Sequence, residues 1–185
     1  VGYVYEELAN ADALFLRQGL NAYGRGAWAS SLRHHEGLFY VATFSYTTGE
    51  SYVFTTPDIE HGPWRKTSLG ALFHDPSLFF HDDGRVYIVY GAGDIRIVEL
   101  TADAQAVREG GVHRVLIPGA GSITGERFWV PGEGSHLLKI DGMYYLSLIV
   151  WPNGGMRTQV VYRAATLEGP WEGRIVLQDD GIAQG

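Results

Sequence analysis

Cysteine is absent from this 185-residue chain, and cationic residues are few: 14 Lys and Arg stand against 21 Asp and Glu, for a formal charge of −7. The first absence excludes a disulfide scaffold and is compatible with any compartment, so localisation stays open. The second leaves no basic cluster to neutralise a row of phosphates, so nucleic acid is not an expected partner and a neutral polar ligand fits better. No apolar run approaches the roughly 20 residues of a membrane-spanning helix, and a membrane is not expected either. Helical signal is nearly missing, residues 101–109 being the one short candidate. What remains, 45% hydrophobic and 19% charged, is the composition of a folded domain with an ample core, not of a disordered or collagen-like chain.

Glycine is plentiful instead, at 25 residues, about twice the usual ~7%. Many tight turns and many short strands follow. Three segments repeat a serine, a strand, a Gly turn and an aromatic second strand, starting at Ser31, Ser77 and Ser135. The turns Glu36-Gly37, Asp83-Gly84 and Asp141-Gly142 offer an acidic residue and a glycine, which tolerate the positive φ of hairpin turns. Third strands are expected over 51–55, 95–100 and 159–164, from their β-branched and aromatic content. A closing turn recurs as His61-Gly62-Pro63-Trp64 and Glu168-Gly169-Pro170-Trp171 and makes both tryptophans structural; fourth strands are expected near 64–67, 112–117 and 171–177. Four antiparallel strands per repeat of ~45–60 residues define an all-β fold of β-propeller type.

A propeller gives these positions meaning. The innermost strand of each blade lines a central channel, so the residue two before each shared serine takes an equivalent post at the channel mouth. Those residues are Ala29, Asp75 and Glu133. Two carboxylates aimed at one cavity suit acetal hydrolysis, which needs a protonated acid at the leaving oxygen and a second carboxylate to shape charge or activate water. Either residue alone also fits a plain turn or loop; the shared register is what joins them.

The runs around Trp28-Ala29-Ser30-Ser31, His74-Asp75-Pro76-Ser77 and Gly132-Glu133-Gly134-Ser135 resemble glycoside hydrolase family 43, especially its β-xylosidase and α-L-arabinofuranosidase members. The resemblance covers nearly the whole chain, with Ser30 where that family usually has Pro. It implies a five-bladed propeller that hydrolyses with inversion through three channel carboxylates, removing terminal xylose or arabinofuranose from hemicellulose-derived oligosaccharides. By that resemblance Glu133 matches the general acid, and Asp75 matches the aspartate that tunes the acid and orients the sugar. The general base belongs to an Asp-Pro motif that does not precede Trp28 here, and Asp12 lacks that context. The chain starts at Val1 and stops at Gly185 in mid-pattern, so it reads as a central slice of the propeller, inactive alone. On that reading 1–27 end the first blade and its exit loop, 28–70, 71–120 and 121–178 are the second, third and fourth blades, and 179–185 lead into the fifth. Another chain or further termini would complete the ring.

Trp28 beside the channel post would stack on a sugar ring, Phe44 and Trp151 at the ends of second strands would wall it, and Arg157 would present a polar group to it. Each has a bland reading as core or exposed loop. His34 and His35 point to opposite faces of a strand, so no metal ligand set is expected, and no organic cofactor. The resemblance implies only a calcium ion or water cluster in the channel of the complete propeller, near a histidine of the last blade. A non-catalytic propeller binding carbohydrate or protein is the alternative, and a relative acting on fructosyl or galactosyl linkages a third.

Overall fold

The computed structural model describes residues 18–19 and 26–179. Asp12 and residues 180–185 lie outside them, as does most of the segment expected to end the first blade. Twelve strands form three four-stranded antiparallel sheets. The first sheet holds β1 (Ser31–His35), β2 (Leu38–Ser45), β3 (Glu50–Thr56) and β4 (Arg65–Ser68). The second holds β5 (Ser77–Phe80), β6 (Val86–Tyr90), β7 (Ile95–Leu100) and β8 (His113–Ile117). The third holds β9 (Phe128–Ile140), β10 (Met143–Pro152), β11 (Arg157–Ala164) and β12 (Glu172–Asp179). Every sheet is a meander of sequence neighbours, and the first strands β1 and β9 both pack against β5. These are the blades of a β-propeller, with β1, β5 and β9 innermost.

Turn chemistry explains the hairpins. Glu36 and Gly37 take φ of 48° and 79°, and Asp141 and Gly142 take 49° and 79°, so both central residues of each turn are left-handed, as a two-residue hairpin requires. The β5–β6 connection is wider: His81 N–H donates to the Arg85 carbonyl at 2.9 Å, and only Gly84 has positive φ. At the closing turns Gly62 and Gly169 also have positive φ, and a Cβ there would meet the backbone nitrogen of Trp64 at 3.1 Å or of Trp171 at 3.0 Å. The repeated Gly-Pro-Trp spelling therefore records a close approach that only glycine permits.

The core consists of two layers between sheets. Tyr40, Ala42 and Val53 of the first sheet meet Leu78, Val86, Ile88 and Val98 of the second. The opposite face of the second sheet, Phe79, Tyr87, Val89 and Ile97, meets Leu137, Tyr144, Leu146 and Leu148 of the third. Being covered on both faces, β6 reads as an uninterrupted apolar run, VYIVY. Two outward faces have no neighbour among the described residues: Leu32, Val41 and Trp64 line a depression on the first sheet, and Tyr145, Val161 and Val176 line one on the third.

Residues 101–109 form turns, not the expected helix. Thr101 Oγ1 accepts the N–H of Ala106 at 3.1 Å, Ala104 is left-handed at φ 58°, and Arg108 N–H returns to the Glu99 carbonyl at 2.9 Å. The Arg108 guanidinium then reaches the Glu99 carboxylate. Side chain to backbone bonds of this kind compete with a helix, and a segment this short has few helical bonds to set against them.

Candidate active site

Ala29, Asp75 and Glu133 line one cavity of about 250 Å³, together with Trp28, Trp151 and Arg157. The three posts reach it by different local routes. Just ahead of β1, Trp28 N–H donates to the Phe44 carbonyl at 3.1 Å, which fixes the chain at Ala29. Asp75, between His74 and Pro76, is left-handed at φ 48°, a region Asp tolerates better than most residues. Glu133 sits inside β9, which begins at Phe128, so Gly132-Glu133-Gly134 is strand and not the plain loop that is the alternative reading of these residues.

A β-bulge aims Glu133. It pairs with Ile149 and His136 pairs with Ser147, so β9 takes three steps where β10 takes two. Gly134 lies in that extra step at φ 65° and its N–H donates to Asp75 Oδ2 at 3.1 Å. One irregularity thus turns Glu133 toward the cavity and ties it to the neighbouring blade's carboxylate.

His74 completes the group. Its Nε2 lies 3.1 Å from Glu133 Oε2 and 3.7 Å from Asp75 Oδ2, and its Nδ1 lies 2.9 Å from the Tyr46 hydroxyl. One donor atom from each of His74, Asp75 and Glu133 falls within 4.8 Å of the others. The closest of these atoms face each other in hydrogen bonds, the arrangement of a coupled acid–base cluster. The side chains of His74, Asp75 and Glu133 are 17%, 10% and 29% exposed, so Glu133 is the one that meets incoming solute.

The electrostatics follow from this packing. Burial pushes the Asp75 carboxyl above its usual range; the His74 charge opposes that, the Glu133 charge adds to it, and the Gly134 N–H opposes it. The hydrogen bond to Glu133 raises His74, burial opposes, and the charges of Asp75 and Glu133 add to the rise. A carboxyl raised on folding contributes stability that is fully present below its unfolded value of 3.8 and is lost as pH rises through the folded value. Asp75→Asn carries no such loss. The melting temperature of the variant relative to wild type is therefore expected to increase from pH 4 to pH 7, and a difference that stays constant across that range would exclude a raised Asp75.

Among the expected sugar contacts, Trp28 is 42% exposed and stands edge-on to Tyr46 with centroids 5.1 Å apart. Trp151 is braced by its Nε1–H to the Gly155 carbonyl at 3.3 Å, and the Arg157 guanidinium lies 4.7 Å over its ring. Phe44 is a correction. It is fully buried, with its ring 6.2 Å from Trp28 and 5.2 Å from His74, so it is a floor beneath the wall and not the wall itself. Sequence reasoning missed His74 and Tyr46 as site residues. The only available signal was the position of His74 immediately before a channel post.

Neighbouring blades of a propeller thus aim two carboxylates into one cavity of about 250 Å³, with an imidazole hydrogen-bonded to one of them. Residues 8–178 match the family model for glycosyl hydrolases family 43, and the chain belongs to that family. A solved structure, the bifunctional GH43-CE protein of Bacteroides eggerthii, matches all of the chain at 48% identity with a TM-score of 0.90, the match covering 24% of that protein. A xylosidase/arabinosidase of Butyrivibrio fibrisolvens is 32% identical over 66% of the chain and 25% of its own length. A beta-xylosidase of Formosa agariphila is 27% identical over 96% of the chain and 33% of its own length. The chain thus spans about a quarter to a third of the length of these three proteins.

Proposed function

We propose that this chain supplies the acid side of an inverting glycoside hydrolase site that releases terminal xylose or arabinofuranose from hemicellulose-derived oligosaccharides. The observation that carries this reading is the convergence of Glu133 and Asp75, from successive blades, on one cavity beside the exposed face of Trp28. In the reaction the Glu133 carboxyl proton passes to the glycosidic oxygen as the bond to the anomeric carbon breaks. Water adds to that carbon from the opposite face and gives its proton to a general base, through an oxocarbenium-like transition state. Asp75, held by the Gly134 N–H, keeps negative charge close to the acid and orients the sugar. No third carboxylate lines this cavity among the described residues, so the base comes from beyond them, standing roughly 6.5–9.5 Å from Glu133 as inversion requires. Further blades bring it, and they also cover the outward faces at Leu32 and Val161. The substrate classes are supported by the names of the Butyrivibrio and Formosa relatives.

The test compares the 185-residue chain with a polypeptide in which it replaces the matching part of the Bacteroides eggerthii protein, on nitrophenyl β-xyloside and α-L-arabinofuranoside. The longer polypeptide is expected to turn over, releasing the inverted anomer first by NMR, and the chain alone is not. Turnover by the chain alone that disappears in Glu133→Gln would overturn the location of the base. Sugar binding without turnover by the longer polypeptide would overturn the enzyme in favour of a carbohydrate-binding propeller.

A further inference from the structure

His74 has no part in the proton transfer just described, yet among the described residues no other side chain touches the acid so closely. It arrives from the stretch between β4 and β5, 59 residues before Glu133 in sequence, and its ring is boxed in by three aromatic side chains. Phe44, Tyr46 and Trp28 have ring centroids 5.2, 6.0 and 6.3 Å from it. The titratable groups facing it are Tyr46 at the end of β2, Asp75 beside it in the chain and Glu133 on β9, while Arg157 of β11 lines the same cavity.

A general acid has two oxygens, and only one can carry the proton toward the leaving group. Left alone, a neutral carboxyl can hold its proton on either oxygen and rotate. An N–H donated to Oε2 makes that oxygen the acceptor, so the proton resides on Oε1. The imidazole can donate from Nε2 in its neutral form only if Nδ1 is the acceptor, and the Tyr46 hydroxyl, 2.9 Å away, is placed where it can donate to Nδ1. If His74 is protonated, both nitrogens donate, and the bond to Glu133 is kept while Tyr46 turns to accept.

We propose that His74 is a positioning residue for the acid. Its Nε2–H pins Glu133 Oε2, the acid presents its proton from Oε1, and Tyr46 holds the imidazole in the tautomer that allows this. The assignment rests on Glu133 being the acid. When the proton leaves, the same N–H stabilises the carboxylate that remains, an interaction stronger in the transition state than before it. A ring that merely filled the space under Trp28 would instead affect sugar binding equally for every leaving group.

Two measurements separate these roles. In the 185-residue chain, imidazole NMR is expected to find His74 titrating above 6.5, falling toward that value in Glu133→Gln, with the nitrogen shifts of the neutral ring changing tautomer in Tyr46→Phe. A His74 titration that Glu133→Gln leaves unmoved overturns the proposal, whether or not the protein is an enzyme. In the longer polypeptide described above, His74→Phe is expected to lower kcat about 10–100-fold on a substrate whose leaving group is another sugar. On a dinitrophenyl glycoside, which needs little acid assistance, the loss should be under about threefold. His74→Gln, which can place an N–H near the same point, recovers most of the loss. An equal loss for both leaving groups, carried by KM, overturns the positioning role. Absence of all glycosidase activity in wild type would instead overturn the proposed function, leaving the NMR result to decide His74.

Discussion

Glu133→Gln is expected to lower turnover of an unactivated xyloside or arabinofuranoside by about 10²–10⁴-fold in the polypeptide that carries the complete propeller. Gln has the shape of Glu and can still meet His74, so the bulge, the cavity and the seat of the sugar should persist while the transferable proton is lost. KM should therefore change little and kcat should carry the effect, the signature of an interaction used in the transition state. Steady-state kinetics on one substrate with a sugar leaving group and one with a dinitrophenyl leaving group check this. A uniform loss on both would show that Glu133 acts other than as an acid.

Phe44→Ala should have the largest effect on stability at the site, about 3–5 kcal/mol for a fully buried aromatic ring. For a domain of this size that corresponds to roughly 6–20 °C in melting temperature. The ring supports Trp28 from below at 6.2 Å and lies 5.3 Å from Tyr46, so its removal opens a hole beneath the aromatic wall. Phe44→Leu should restore most of the loss by refilling the volume. Thermal and urea unfolding measure both. If Phe44→Ala weakened sugar binding without lowering the melting temperature, the ring would be a contact after all.

The strands were readable because their causes are local. Gly turns and period-two patterns lie within a few residues of one another, and Asp75 and Glu133 could be matched by counting back from a repeated serine. The bulge was not readable, because it exists only in the pairing of β9 with β10. Beyond it Leu137, and not His136, faces the preceding sheet as Leu78 does in β5, so the repeats slip by one residue after the channel post. Phe44 was misjudged because the end of a second strand can face the channel or the blade interior, and a sequence does not choose between them. Tyr46, His74 and Glu133 lie far apart in the chain and meet only when three blades pack, so no spacing rule could join them. The turn over 101–109 was read as helix because the Thr101 and Glu99 side chains that hold it act through specific atoms, not through composition.

Among the described residues no strand ladder crosses from one sheet to the next. An extra residue in β9 is consequently absorbed within its own repeat, and the ladders of the other two repeats are unaffected. Repeats built this way can differ independently, since a change in one does not have to be matched in the next. Ala29, Asp75 and Glu133 show the latitude this leaves: equivalent positions of three repeats line one cavity, one of them neutral and two acidic.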